Sequence, residues 1–283
     1  MGILSRARTV LRDGVLTAPS PFFSPRFGAP NPDEAEAAAR QIGETAAYDA
    51  GALIPRGTCE AISAGMSQAL AGKRPDIRVS INERTGIGHV HGALRLAPEV
   101  LDIGVHPRIL AIVERCLRRR IYLPDVDMRR VPPMTMDELD QRAGTASVGY
   151  TSSHWHRDIR GRQVKVMVYL TDVGPQDSNF AYLPASHRGH HIRPAHVEES
   201  RLTEVEVAAT GVTPVECYGP AGTTLIFDTN LLHRLRRKSG AAIRDSITFY
   251  YTPGQELRPL DLDAASAGRL SAEARKLFDG HRP

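Results

Sequence analysis

From residue 121 onward the chain breaks into short runs of β-forming residues, and this pattern constrains its fold more than any other feature. "IYLPDV", "VKVMVYL", "FAYLP", "EVEVAAT", "TPVECY", "TTLIFD" and "DSITFYY" follow at close intervals, with Gly, Pro, Asp and Asn between them. Such runs predict a sandwich or barrel of short strands. Upstream, helical signals dominate. "NPDEAEAAARQIGETAAY" predicts a helix capped by Asn31, with Pro32 in its first turn and Glu34 three residues after the cap. "GALI", 51–54, predicts a short strand, and a second helix runs from about Thr58 to Ala71. "HPRILAIVERCLRRR", 106–120, is the clearest helix: Ile109, Leu110, Ile112, Val113, Cys116 and Leu117 form one apolar stripe. Arg118, Arg119 and Arg120 close it where cations suit the helix dipole. The stretch 131–150 predicts a long loop feeding the strands. The chain thus reads as one domain: an arm at 1–30, mainly helical support at 31–120, a β core at 121–252 and a C-terminal extension at 253–283.

The formal net charge of +4 comes from arginine, since lysine occurs only at Lys73, Lys165, Lys238 and Lys276. These arginines mix with acidic residues and lack interleaved aromatics, which argues against a nucleic-acid groove and for a small polar or anionic substrate. Cys59, Cys116 and Cys217 are widely spaced and form no C-x-x-C pair, as in a reducing compartment. No run suits a signal peptide or a membrane span, so a cytoplasmic protein is expected.

The chemistry centres on "SSHWHRDIRG", 152–161. On an extended strand His154, His156 and Asp158 share a face, so His156 and Asp158 can converge on one cation while Arg157 and Trp155 point away. An iron(II) site with open positions needs a further histidine. His187, His190, His191 and His233 are the candidates. His233 has the right surroundings: it follows the strand "TTLIFD", and Arg244 comes eleven residues later at the start of "RDSITFYY". In that strand Ile247, Phe249 and Tyr251 alternate with polar Arg244, Ser246, Thr248 and Tyr250, a polar face that would line a site. Two other readings remain: a cupin-type metal enzyme using His154 and His156 without 2-oxoglutarate, and a barrel that binds a ligand without turnover.

H-x-D, a distant His and then an Arg resemble the iron(II)- and 2-oxoglutarate-dependent dioxygenases, and more narrowly the phytanoyl-CoA dioxygenase family. "GVHPRILAIVERCLRRRIYL", "VYLTDVGPQDSNFAYLPASHRGHH" and "AGTTLIFDTNLLHR" carry the narrower likeness. The resemblance implies a double-stranded β-helix (a jelly roll, or cupin-like barrel) flanked by α-helices, with iron(II), 2-oxoglutarate and O2. His156, Asp158 and His233 would hold the metal. Arg244, with Ser246, would take the far carboxylate of 2-oxoglutarate, and Arg129 could assist. His154, Arg130 and His91 are expected to face the substrate. An intact Asp158 favours hydroxylation, desaturation or ring closure over halogenation. Two positions depart from the family pattern: Phe180 and Ala185 stand where glycines are usual, and both are expected to alter turns only. Arg160, Arg162 and Lys165 read as a solvated loop, and His187, His190 and His191 as a surface turn. The arginine- and alanine-rich composition fits a GC-rich bacterial genome, hence secondary metabolism.

Overall fold

The computed structural model describes residues 31–143, 152–158, 163–188, 201–240, 242–253, 260 and 262–278. The expected N-terminal arm, Arg160, Arg162, His190 and His191 lie outside the described residues. The helices are α1 (Pro32–Thr45), α2 (Arg56–Leu70), α3 (Pro98–Gly104), α4 (Pro107–Leu117), α5 (Met136–Ala143), α6 (Glu204–Ala209), α7 (Ala264–Arg269) and α8 (Ala272–Arg275). The strands are β1 (Ala47–Ala52), β2 (Arg78–Ile81), β3 (Gly88–His91), β4 (Tyr122–Val131), β5 (Trp155–His156) and β6 (Val164–Tyr169). They continue with β7 (Asn179–Tyr182), β8 (Arg201–Leu202), β9 (Val215–Cys217), β10 (Thr223–Asp228), β11 (His233–Arg236) and β12 (Arg244–Thr252).

These strands form two antiparallel sheets. The major one has the order β1-β10-β6-β12-β4-β3-β2, and the minor one β8-β5-β11-β7-β9. Alternation along the strands assigns each face. Val164, Val166 and Val168 of β6 and Ile247, Phe249 and Tyr251 of β12 join one core with Ile62 and Met66 of α2 and Ile109, Ile112 and Val113 of α4. Each such fully buried side chain contributes about 1.5–3 kcal/mol, which fastens the helices to the outer face of the major sheet. The opposite face meets the minor sheet through Met167, Tyr169, Leu225 and Phe227, packed with Phe180 and Cys217. The mainly β architecture, helices first, is that of a double-stranded β-helix; the sheets do not close into a barrel.

Local signals explain most elements. Asn31 caps α1, its Oδ1 accepting from the Asp33 and Glu34 amides at 3.0 and 3.4 Å. α4 ends at Leu117, and Arg118 takes the left-handed cap at φ 52°, so the three arginines follow the helix instead of forming its last turn. At the turn into β10, Gly222 has φ 97°, and a Cβ there would lie 2.0 Å from the Ile54 carbonyl oxygen.

Several expectations are corrected. "EVEVAAT" is a helix, α6, because Thr203 and Glu206 form a reciprocal capping box. Within the expected loop 131–150, Thr135 and Glu138 do the same for α5. The strand sought at 51–54 is β1, beginning at Ala47. The support region also supplies β2 and β3, a hairpin that extends the major sheet beyond β4. Lys165 lies in β6 and not in a solvated loop.

Candidate metal and cosubstrate site

His156 ends β5 and His233 begins β11, and the two are paired in register across the minor sheet. Their ring centroids are 4.3 Å apart. With Asp158 they bring three ligand atoms within 4.8 Å of one another, a grouping that could hold a metal ion. Each imidazole donates from Nδ1 to a backbone carbonyl 2.8 Å away, His154 for His156 and Leu231 for His233. A carbonyl only accepts, so Nδ1 carries the proton and Nε2 presents its lone pair to the shared space. Burial and the neighbouring His233 push His156 down to about 3, and burial also lowers His233, so both rings are neutral ligands at pH 7. Burial opposes ionisation of Asp158, but the Lys165 ammonium and both imidazoles outweigh it and hold the carboxyl at about 2. Two neutral imidazoles and a carboxylate form the donor set of non-haem iron(II) oxygenase sites.

The triad opens into a cavity of about 480 Å³ between the sheets. Arg244, Ser246, Thr248 and Tyr250 of β12 all line it, which is the polar face read from the sequence. Arg244 is only 5% exposed, and its Nε and Nη1 are buried without a hydrogen-bond partner among the described residues. Its guanidinium carbon lies 5.9 Å from the centre of the Tyr169 ring. A buried fork of unused donors is what a carboxylate would satisfy. Ser246 is 3% exposed and pairs in register with Arg129 of β4. Arg129 lines the same cavity and is tethered through Nε to Asp127.

The other expected site residues lie elsewhere. β5 is only two residues long, so His154 sits in a bend before it and does not line the cavity; the shared-face argument assumed a longer strand. Arg130 points to the helix side, where it donates to Asp245 at 2.8 and 2.6 Å and to Ser67 at 2.7 Å. His91 bonds Ser80 at 2.9 Å, one pleat beyond the cavity; its strand neighbour His89 lines it instead. Arg157, expected to point away, donates to the Asn230 and Ser186 carbonyls yet lines the cavity.

Two residues at the site escaped the sequence reading. Lys165 donates to Asp158 Oδ2 at 2.8 Å and lies over the Tyr250 ring at 4.6 Å. Phe180 is not in a turn: it belongs to β7, lines the cavity, and packs 4.7 Å from Phe227 and 5.5 Å from His233. Ala185 does occupy a turn, in the left-handed region at φ 58°, where a glycine would sit without strain.

Residues 48–246 match the family model described as phytanoyl-CoA dioxygenase (PhyH). No curated protein matches the chain significantly in sequence. Among solved structures, the epimerase SnoN in complex with Fe3+, alpha ketoglutarate and nogalamycin RO is similar with TM-score 0.60 and 15% identity, over 82% of this chain and 89% of its own. The non-heme alpha ketoglutarate dependent carbocyclase SnoK from nogalamycin biosynthesis gives TM-score 0.58 and 16% identity, over 86% of this chain and 94% of its own. HygX from Streptomyces hygroscopicus, with nickel and 2-oxoglutarate bound, gives TM-score 0.54 and 18% identity, over 83% and 94%. At such identities the likeness is one of fold. The family match covers most of the chain, and the His-Asp-His grouping lies within it. The chain belongs to the phytanoyl-CoA dioxygenase (PhyH) family of non-haem iron, 2-oxoglutarate-dependent oxygenases.

Proposed function

We propose that the protein oxidises a small polar or anionic metabolite by hydroxylation, desaturation or oxidative ring closure, converting 2-oxoglutarate to succinate and CO2. The observation that carries this reading is Arg244, a buried cation with two donors unused among the described residues, in the same cavity as His156, Asp158 and His233. Iron(II) held by those three residues, together with 2-oxoglutarate and O2, supplies a two-electron oxidation of a substrate C–H bond.

The protein's own groups divide the remaining work. Arg244 binds the far carboxylate of 2-oxoglutarate through a charge-assisted pair of hydrogen bonds, with Ser246 adding a third. Arg129, paired in register with Ser246, brings a second cation to that end of the cavity. Lys165 neutralises Asp158 and holds its carboxylate in place, donating to Oδ2, the oxygen 3.8 Å from His233 Nε2. Phe180 and Phe227 pack together against the His233 ring and exclude water from that side of the site.

Further polar groups that line the cavity, Asn82, Thr85, His89, Ser152 and Gln163, suit a substrate rich in hydroxyl, amine or carboxylate groups better than a long acyl chain. SnoN and SnoK are tied to nogalamycin, which supports a role in bacterial secondary metabolism. We infer a single oxygenase domain working in the cytoplasm; no helix among the described residues is long and apolar enough to cross a membrane. The cupin-type alternative gains no support, since His154 lies outside the cavity and Arg244 would have no task. The test is 2-oxoglutarate-dependent O2 uptake by the iron-loaded enzyme against a panel of polar metabolites and acyl thioesters. Stimulation by a polar member, with succinate and oxidised product formed one to one, is expected. Stimulation by acyl thioesters alone, or turnover without 2-oxoglutarate, would overturn the reading.

A further inference from the structure

A second cavity, of about 240 Å³, lies between the edges of the two sheets, behind the first. Phe180 and Phe227 line both cavities and form the partition between them. Their ring centroids are 4.7 Å apart, and each is 5.5 Å from the ring of the metal-site residue His233. The inner lining is apolar and buried: Ala47, Cys217 and Leu225 join the two phenylalanines, all at 6% exposure or less. Tyr48, Asp49, Tyr182, Val215, Glu216 and Tyr218 make up the rest of its lining, so its outer part is polar.

We propose that this second cavity is a binding site for molecular oxygen, which passes from it to the metal site between Phe180 and Phe227. The proposal rests on the preceding functional reading, in which O2 is a cosubstrate. The main cavity must hold 2-oxoglutarate and the substrate together, so a third reactant entering by the same mouth would have to pass both. The apolar inner end, between Ala47, Cys217, Leu225 and the two phenylalanines, favours an uncharged, weakly hydrated gas over water. Two rings in contact admit a diatomic molecule through small side-chain motions but bar a metabolite. Burial pushes the Cys217 thiol up to about 12, so it stays protonated and does not react with O2.

The test has two arms. In crystals of the wild-type protein pressurised with xenon, an apolar atom that reports gas sites, xenon is expected among Cys217, Leu225 and Phe227. In solution, the anaerobic enzyme–iron(II)–2-oxoglutarate complex is mixed with O2, and decay of its visible charge-transfer band is followed. Cys217→Phe fills the cavity away from the metal ligands, and the second-order rate constant for O2 is expected to fall about fivefold. Iron and 2-oxoglutarate affinities should not change. Cys217→Leu serves if the larger ring prevents folding. Absence of xenon from the cavity, or a folded Cys217 variant with the wild-type O2 rate, would overturn the proposal. A wild-type protein without a charge-transfer band would instead overturn the 2-oxoglutarate reading, and the xenon arm would still decide whether the cavity takes gas.

Discussion

Replacing Arg244 by methionine should stabilise the protein without 2-oxoglutarate and abolish its response to 2-oxoglutarate. The wild-type side chain holds Nε and Nη1 buried without acceptors among the described residues, and burial pushes its guanidinium below its ordinary value. Each unsatisfied buried donor costs about 1–3 kcal/mol. Loss of the Tyr169 ring contact returns about 0.5–2 kcal/mol, and methionine keeps most of the packing of the arginine stem. For the two donors together the net gain is about 0–5 kcal/mol, and each kcal/mol raises Tm by roughly 2–4 °C. Binding changes in the opposite sense. Two charge-assisted hydrogen bonds at about 1.5–3 kcal/mol each vanish, which weakens 2-oxoglutarate by roughly a hundredfold to twenty-thousandfold. The assay is anaerobic thermal unfolding of metal-loaded protein with and without 2-oxoglutarate. At a hundred times Kd the ligand should stabilise wild type by about 2.7 kcal/mol and leave Arg244→Met unmoved. A variant that melts below wild type without ligand, or that gains as much from 2-oxoglutarate, would refute the reasoning.

Lys165→Met should weaken iron(II) binding by about 10- to 100-fold, as expected when a contact orienting a metal ligand is lost, with Lys165→Arg partly restoring it; equilibrium titration reads both. Ala185→Gly relieves the left-handed strain at φ 58°, so denaturant unfolding should show a gain of about 0.5–1 kcal/mol, and a loss would contradict the turn geometry. His106, buried at the start of α4, is pushed down to about 4 by burial and by Arg108. A depressed histidine contributes stability fully above its unfolded value near 6.5 and loses it as pH falls toward 4. Between pH 7 and 5 wild type should therefore lose about 2 kcal/mol more than His106→Asn, which keeps a capping side chain; equal losses would exclude His106 as the source.

The readable parts of the fold were those with two distinguishable faces. β12 alternates Arg244, Ser246, Thr248 and Tyr250 with Ile247, Phe249 and Tyr251, and its polar face does line the cavity. β6 offered no such contrast, because every one of its side chains is buried; Lys165 therefore gave no sign of pointing at Asp158. Two of the helices that the sequence reading missed, α5 and α6, share one cause. Thr135 with Glu138 and Thr203 with Glu206 carry the Thr-x-x-Glu capping pattern, a visible signal that was outweighed by the apparent alternation of "EVEV" and by the prolines near 132. The grouping of His156, Asp158 and His233 was legible because ligand chemistry demands particular residue types. His154, Arg130 and His91 were misplaced because strand length and facing cannot be read to within a residue or two, and one residue reverses a side chain. Phe180 carried no local signal. Its place beside His233 depends on the register between β7 and β11.

The central claim is that His156, Asp158 and His233 hold iron(II) while Arg244 receives 2-oxoglutarate in the same cavity. The most direct measurement is an anaerobic titration of the apoprotein with iron(II) and then 2-oxoglutarate, recording the weak visible charge-transfer band of the chelate, with His156→Ala and Arg244→Ala alongside. The band should appear in wild type, vanish in His156→Ala, and need far more 2-oxoglutarate in Arg244→Ala. Bound iron that gives no band with 2-oxoglutarate, or a band indifferent to Arg244, would contradict the account.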